Sequence, residues 1–114
     1  MRITRDLMAV EDKERVRGGE GRVRFTHLVR EGAAGRVKLF SELRLPPGAS
    51  IGWHRHDGEA EYYVFIEGTG IVNDDGKDCA VGPGDVTVTG SGCSHSLRND
   101  GSIDLVLYAL IVSG

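Results

Sequence analysis

From Gly21 onward the chain is written in short runs of alternating apolar and polar residues, each closed by a turn signal, a texture that suits strands far better than helices. The clearest run puts Val37, Leu39, Ser41, Leu43 and Leu45 on one face and Arg36, Lys38, Phe40, Glu42 and Arg44 on the other. Pro46-Pro47-Gly48 stops it, because two successive prolines remove two ladder donors and the glycine permits a turn. Arg22 to Arg30 alternates in the same way, with Val23, Phe25, His27 and Val29 on one side. Further on, Ile71-Val72, Cys79-Ala80-Val81 and Val86-Thr87-Val88 are separated by Asn73-Asp74-Asp75-Gly76 and Gly82-Pro83-Gly84-Asp85, both turn chemistries. The last run, Ile103 to Val112, is apolar on both faces and predicts a central strand covered from two sides. Seventeen glycines spread between these runs fit the turns of an all-β sandwich or barrel.

Only the first twenty residues leave room for a helix. Their mixed-sign run Glu11-Asp12-Lys13-Glu14-Arg15, ending at Gly18-Gly19, predicts a solvated turn or short helix. The expected division is an N-terminal arm, 1–20, and a single barrel domain, 21–114, within a chain of 114 residues that is the size of one ordinary domain.

Charge narrows the partners. Fourteen Lys and Arg against 17 Asp and Glu give a net charge of −3 without a basic stripe, which argues against nucleic acid. No apolar run approaches the roughly 18 residues of a membrane helix, and the first ten residues lack a secretory apolar region, so a cytoplasmic protein is expected. Cys79 and Cys93 are then expected to be free thiols. Gly68-Thr69-Gly70 is not a phosphate loop, since no helix follows it.

The chemistry concentrates between Gly48 and Gly68. His54 and His56 stand at strand spacing, so both imidazoles leave one face. His95 is the third candidate, whereas His27, the fourth histidine, is expected to face sheet or solvent. Three imidazoles and one carboxylate would form a mixed N/O site suited to several transition metals, with positions left open for a ligand. Among the glutamates, Glu61 returns opposite the histidine pair after a turn at Asp57-Gly58, Glu59 is the alternative at the rim, and Glu67 reads as a solvated charge. An inward Glu61 puts Tyr63 and Phe65 on the same face as an aromatic wall. Tyr62, Val64 and Ile66 then point outward, into a packing layer or a homodimer contact.

These residues resemble a known family. Gly48, five residues, His54, one, His56, four, Glu61, six, Gly68 is similar to the first cupin motif at every fixed position. Gly84, five residues, Gly90, one, Gly92, two, His95, three, Asn99 resembles the second, with Gly90 where the family usually has proline. The resemblance spans roughly residues 35–112 and implies a double-stranded β-helix, the jelly-roll cupin barrel. It implies His54, His56, Glu61 and His95 as ligands of a divalent transition metal, manganese first, with iron, zinc, nickel or cobalt as alternatives. The run from His54 to Asn99 further resembles small single-domain cupins of the oxalate-decarboxylase-like type, which implies a small carboxylate ligand such as oxalate.

Two functions follow. One is a metal-dependent enzyme that decarboxylates, oxygenates or isomerises a small carboxylic acid, with Glu59 and Tyr63 as the acid-base candidates. The other is a non-catalytic binding or sensing module. A protonatable group within hydrogen-bond reach of the open metal positions would favour the first. Cys93 is either a rim thiol or a small turn residue, and Asn99 reads as turn-fixing.

Overall fold

A computed structural model describes residues 1–114. Ten strands follow one another: β1 (Ala9–Glu14), β2 (Arg22–Val29), β3 (Val37–Leu45), β4 (Ser50–Arg55), β5 (Glu59–Glu67), β6 (Gly70–Asp74), β7 (Lys77–Val81), β8 (Val86–Thr89), β9 (Ser94–Arg98) and β10 (Leu105–Ser113). They form two antiparallel sheets, ordered β1-β2-β3-β10-β5-β8 and β4-β9-β6-β7. The all-β architecture expected from the alternation and the jelly roll implied by the resemblance are present, as two separate sheets rather than one closed ring of hydrogen bonds.

The turn signals explain the topology. Asp75-Gly76 closes the β6–β7 hairpin with both residues at positive φ, the geometry that matches strand twist. Each of the other turns from Pro46 onward carries the chain from one sheet to the other. At Gly68 this crossing needs a glycine twice over, since φ is 78° and a Cβ there would overlap the carbonyl oxygen of Asp104. The turn at Asp57-Gly58 is likewise a crossing between β4 and β5, not a hairpin.

The inward faces of β3, β5 and β10 meet those of β4, β6 and β9 in a single core that includes Leu43, Leu45, Phe65, Leu97, Leu105 and Leu107. Each such burial is worth roughly 1.5–3 kcal/mol against exposure. On β5 the alternation is as expected, with Glu61, Tyr63 and Phe65 buried and Tyr62, Val64 and Ile66 exposed. Asn99 fixes the turn before β10, donating from Nδ2 to the carbonyls of Leu45 (2.9 Å) and Ile103 (2.8 Å) and accepting from the Gly101 N–H (2.9 Å). Cys79 and Cys93 are unpaired, and no helix is long and apolar enough to cross a membrane.

Two expectations are corrected. Ala9–Glu14 is a strand, paired from Ala9↔His27 to Glu14↔Arg22, where a turn or short helix was predicted. All six of its residues are exposed, so it buries no face and carries no apolar alternation to read. Cross-strand pairs Asp12–Arg24, Glu14–Arg22 and Glu11–His27 accompany its backbone ladder. The last strand is central as expected, between β3 and β5, but it begins at Leu105, leaving Ile103 exposed, and beyond Val106 it is covered on one side only. Tyr108, Leu110 and Val112 stay half-buried on the outer face, because no layer of this chain packs there.

Candidate metal centre

The site lies between the sheets. β4 carries His54, and His56 follows just past its end; His54 pairs in register with His95 of β9. Glu61 comes from β5 in the facing sheet. His56, His95 and Glu61 are buried and His54 is half-buried.

Their ligand atoms converge. Nε2 of His95 lies 3.1 Å from Nε2 of both His54 and His56, and Oε1 of Glu61 lies 2.9, 3.0 and 3.9 Å from His95, His56 and His54 respectively. Adjacent donors about 2.1 Å from a shared ion and at right angles to one another would be about 3.0 Å apart, close to most of these separations.

The opposite edge of each imidazole is already engaged. Nδ1 of His54 donates to the Gly52 carbonyl (2.7 Å), Nδ1 of His56 meets a carboxylate oxygen of Glu59, and Nδ1 of His95 lies 2.8 Å from the Thr89 hydroxyl. A carbonyl or carboxylate oxygen can only accept, so His54 and His56 each carry a hydrogen on Nδ1, and in the neutral ring Nε2 is left as a lone pair. Three ring nitrogens and a carboxylate oxygen facing one another at these distances call for a cation between them, a shared proton when no metal is bound, and the donor set fits a divalent transition metal.

The electrostatics follow from this crowding. Burial opposes charge on Glu61, but the three imidazoles, His56 and His95 within hydrogen-bond distance and His54 at 3.9 Å, outweigh it and hold the carboxyl well below its usual range. The Glu61 hydrogen bond raises His56 above its ordinary value, against desolvation and with help from Glu59. Glu59 is itself lowered, because Lys38 and His56 together overcome the effect of its burial.

Of the acid-base candidates, Tyr63 is fully buried and stacks on His95, with ring centroids 5.0 Å apart and planes 16° from parallel. Burial, reinforced by the neighbouring Glu61 charge, pushes its hydroxyl well above the usual tyrosine value. Glu59 lies behind His56, one oxygen on its Nδ1 and the other on Lys38 Nζ (2.7 Å). His27 is elsewhere, bonded to Ser41 and Glu11, and Glu67 is exposed. Two backbone bonds pin the loop at Gly90 to His56: Gly92 N–H donates to the His56 carbonyl (2.7 Å), and His56 N–H donates to that of Cys93 (3.0 Å).

A cavity of about 140 Å³ opens onto His54, His56, Glu61 and Tyr63. Its walls are apolar, among them Phe25, Leu39, Leu43 and Ile51, and its volume suits a ligand of a few non-hydrogen atoms. Two cations also line it, Lys13 of β1 and Arg17 of the 3-10 turn Val16–Gly18. Sequence reasoning missed both, because a mixed-sign run reads as a solvated face. The available signal was the Gly18-Gly19 doublet together with Gly52, small residues where two backbone segments must touch.

Comparison with known proteins agrees with this geometry. The cupin domain family matches residues 41–112. An oxalate-binding protein of Thermotoga maritima is 44% identical over 98 residues, covering 85% of this chain and 81% of that protein. The crystal structure of a predicted oxalate decarboxylase from Thermotoga maritima superposes with a TM-score of 0.95 at 39% identity, covering 100% of both chains. The cupin domain of a Schizosaccharomyces pombe protein shares the fold alone, with a TM-score of 0.75 and 15% identity over 93% of this chain and 70% of that one.

Proposed function

The chain belongs to the cupin family, and on that premise we propose that it holds a divalent transition metal on His54, His56, Glu61 and His95 and uses it to capture a small dicarboxylate, oxalate or a close relative. The observation that carries this reading is the convergence of three imidazole Nε2 atoms and one carboxylate at the foot of a small cavity. Manganese is the metal we put first, from the resemblance, with iron, zinc, nickel and cobalt suited to the same N/O donors. A metal held there supplies Lewis acidity toward carboxylate oxygens. The chain's own part is to fix the imidazoles through Gly52, Glu59 and Thr89, and to shield the ligand from bulk water with apolar walls.

Binding comes before turnover in this reading because Glu59, the carboxylate among the acid-base candidates, has both oxygens engaged by His56 and Lys38 and does not line the cavity. A second reading, a metal-dependent decarboxylase, oxygenase or isomerase, is favoured by Tyr63. It lines the cavity beside Glu61 and remains protonated, so it could donate a proton there, with Glu59 orienting His56.

Elemental analysis, calorimetric titration with oxalate, and assays of carbon dioxide release and oxygen uptake test both. Metal-dependent binding without turnover supports the first reading, and turnover abolished by Tyr63→Phe supports the second. A purified protein that neither retains metal nor binds oxalate after metal loading overturns both.

Two wider features belong to the same reading. The outer face of the larger sheet carries a continuous row across four strands, Phe40, Leu110, Tyr62 and Val88, with Tyr108, Val64 and Val86 alongside. A second copy of the chain would cover it as a homodimer, and light scattering that finds a monomer at micromolar concentration would remove that part. Two unpaired thiols suit a reducing, cytoplasmic setting.

A further inference from the structure

The two cations on the cavity come from a segment that contributes nothing to the metal ligands. On β1 the acidic neighbours of Lys13 are all committed elsewhere, Glu11 to His27, Asp12 to Arg24 and Glu14 to Arg22. Lys13 has no carboxylate partner and lies over the Phe25 ring, 4.6 Å from its centroid. Arg17 is also without a salt bridge, as are six more of the chain's 14 Lys and Arg, but only Lys13 and Arg17 of these line this cavity. Two unneutralised cations therefore share a small cavity with a candidate metal centre.

Arg17 is held there at a conformational cost. Its backbone is left-handed, with φ 54° and ψ 32°, a region that a residue with a Cβ seldom occupies unless its surroundings demand it. The surroundings are specific. Gly18 N–H donates to the Arg15 carbonyl (3.0 Å), Gly19 N–H to that of Val16 (2.9 Å), and Ser50 N–H to that of Glu20 (2.8 Å). The turn presses so closely on β4 that a Cβ on Gly52 would overlap the Arg17 carbonyl, and one on Gly19 would overlap that of Ser50. Gly52 is also the residue whose carbonyl anchors His54, so one glycine sets the position of both the cationic turn and a metal ligand.

We propose that Arg17, together with Lys13, determines ligand specificity at this site by binding the carboxylate oxygens of a dianion that the metal leaves free, so that small dicarboxylates are selected over monocarboxylates of similar size. The cavity volume restricts the ligand to a few atoms, and the paired cations restrict its charge. This inference rests on the reading of the site as a metal-dependent carboxylate site.

The test uses the full chain loaded with manganese, with oxalate as the dianion and glyoxylate as a monoanion of similar size, titrated calorimetrically against wild type, R17Q, R17G and K13Q. Metal content is measured for each protein. Loss of a charge-assisted contact in R17Q or R17G is expected to weaken oxalate about tenfold or more and glyoxylate less than about twofold, with a smaller loss of about threefold in K13Q. Because glycine accepts the left-handed backbone, R17G should keep its Tm within roughly 3 °C of wild type, which separates a binding role from a structural one. Wild-type oxalate affinity in R17Q and R17G, or an equal loss for both ligands, overturns the inference and leaves the metal-carboxylate reading standing. Loss of metal from the Arg17 variants makes the residue structural and also overturns it. Wild-type protein that holds manganese but binds neither ligand overturns the reading and the inference together.

Discussion

The Thr89 hydroxyl and Nδ1 of His95 lie 2.8 Å apart in a pair sealed from solvent, and they join the two sheets, since Thr89 ends β8 and His95 lies on β9. Thr89 is also the register partner of Glu61, so a single residue borders two of the candidate ligands. Thr89→Val keeps the shape and leaves a buried ring nitrogen without a partner. We expect a stability loss of about 1–3 kcal/mol by denaturant titration and metal affinity lowered about 10–100-fold. Unchanged metal affinity would show that the hydroxyl does not orient His95.

Glu59→Gln tests the carboxylate behind His56. The amide can still accept from Nδ1 but no longer draws positive charge onto the ring, and the ion pair with Lys38 is lost. Metal affinity should fall about tenfold while stability changes by less than about 1 kcal/mol, because the Lys38 pair is half exposed. If Glu59 is instead a proton donor, a turnover assay would lose rate at full metal occupancy.

The pH dependence of the metal-stripped protein has a definite sign. Glu61 is lowered in the folded state, so its contribution is present above its unfolded value near 4.5 and is lost as pH falls toward the folded value. His56 is raised, so its contribution is complete below its unfolded value near 6.5 and is lost as pH rises through the folded value. Metal-free Tm should therefore be highest between about pH 4.5 and 6.5 and decline toward pH 8. In metal-loaded protein the proton is displaced, so the gap between loaded and stripped Tm should widen as pH rises. Melts in which that gap is constant from pH 5.5 to 8 would contradict the assignment of His56 as a ligand.

Two glycines offer a matched comparison. Gly52→Ala puts a methyl group into the Arg17 carbonyl and should cost about 1–3 kcal/mol as the turn lifts from β4. Gly90→Ala meets nothing within 4 Å and has no positive φ, so its effect should stay within about 0.5 kcal/mol. Similar denaturation midpoints for the two variants would mean that the turn is not seated as described.

Much of the fold was legible because a half-buried strand advertises itself. Along Ser41–Leu45 of β3 and Glu61–Phe65 of β5 every second residue is inward, apolar except for Ser41 and Glu61, and the four candidate ligands fall on strands or strand ends whose register the turns determine. β1 was illegible for the converse reason: it is an edge strand with both faces wet, held by its backbone ladder and charge pairs, and such pairing leaves no period in one chain's sequence. Lys13 and Arg17 were missed with it, since their place on the cavity depends on how a glycine turn docks against a strand about thirty-five residues away. The outer face of β10 misled for a third reason, because an apolar stripe looks the same whether another layer of the chain covers it or none does.

The candidate ligands are divided between the sheets, three imidazoles on the β4–β9 side and one carboxylate on β5. An ion bound there would act as a clasp on the unfolding reaction, because neither sheet could peel away without breaking coordination. At free metal a hundred times its dissociation constant, the clasp would add about 2.7 kcal/mol to global stability. Amide exchange in the two sheets, free to differ in the stripped protein, should then merge toward one slow, shared opening event.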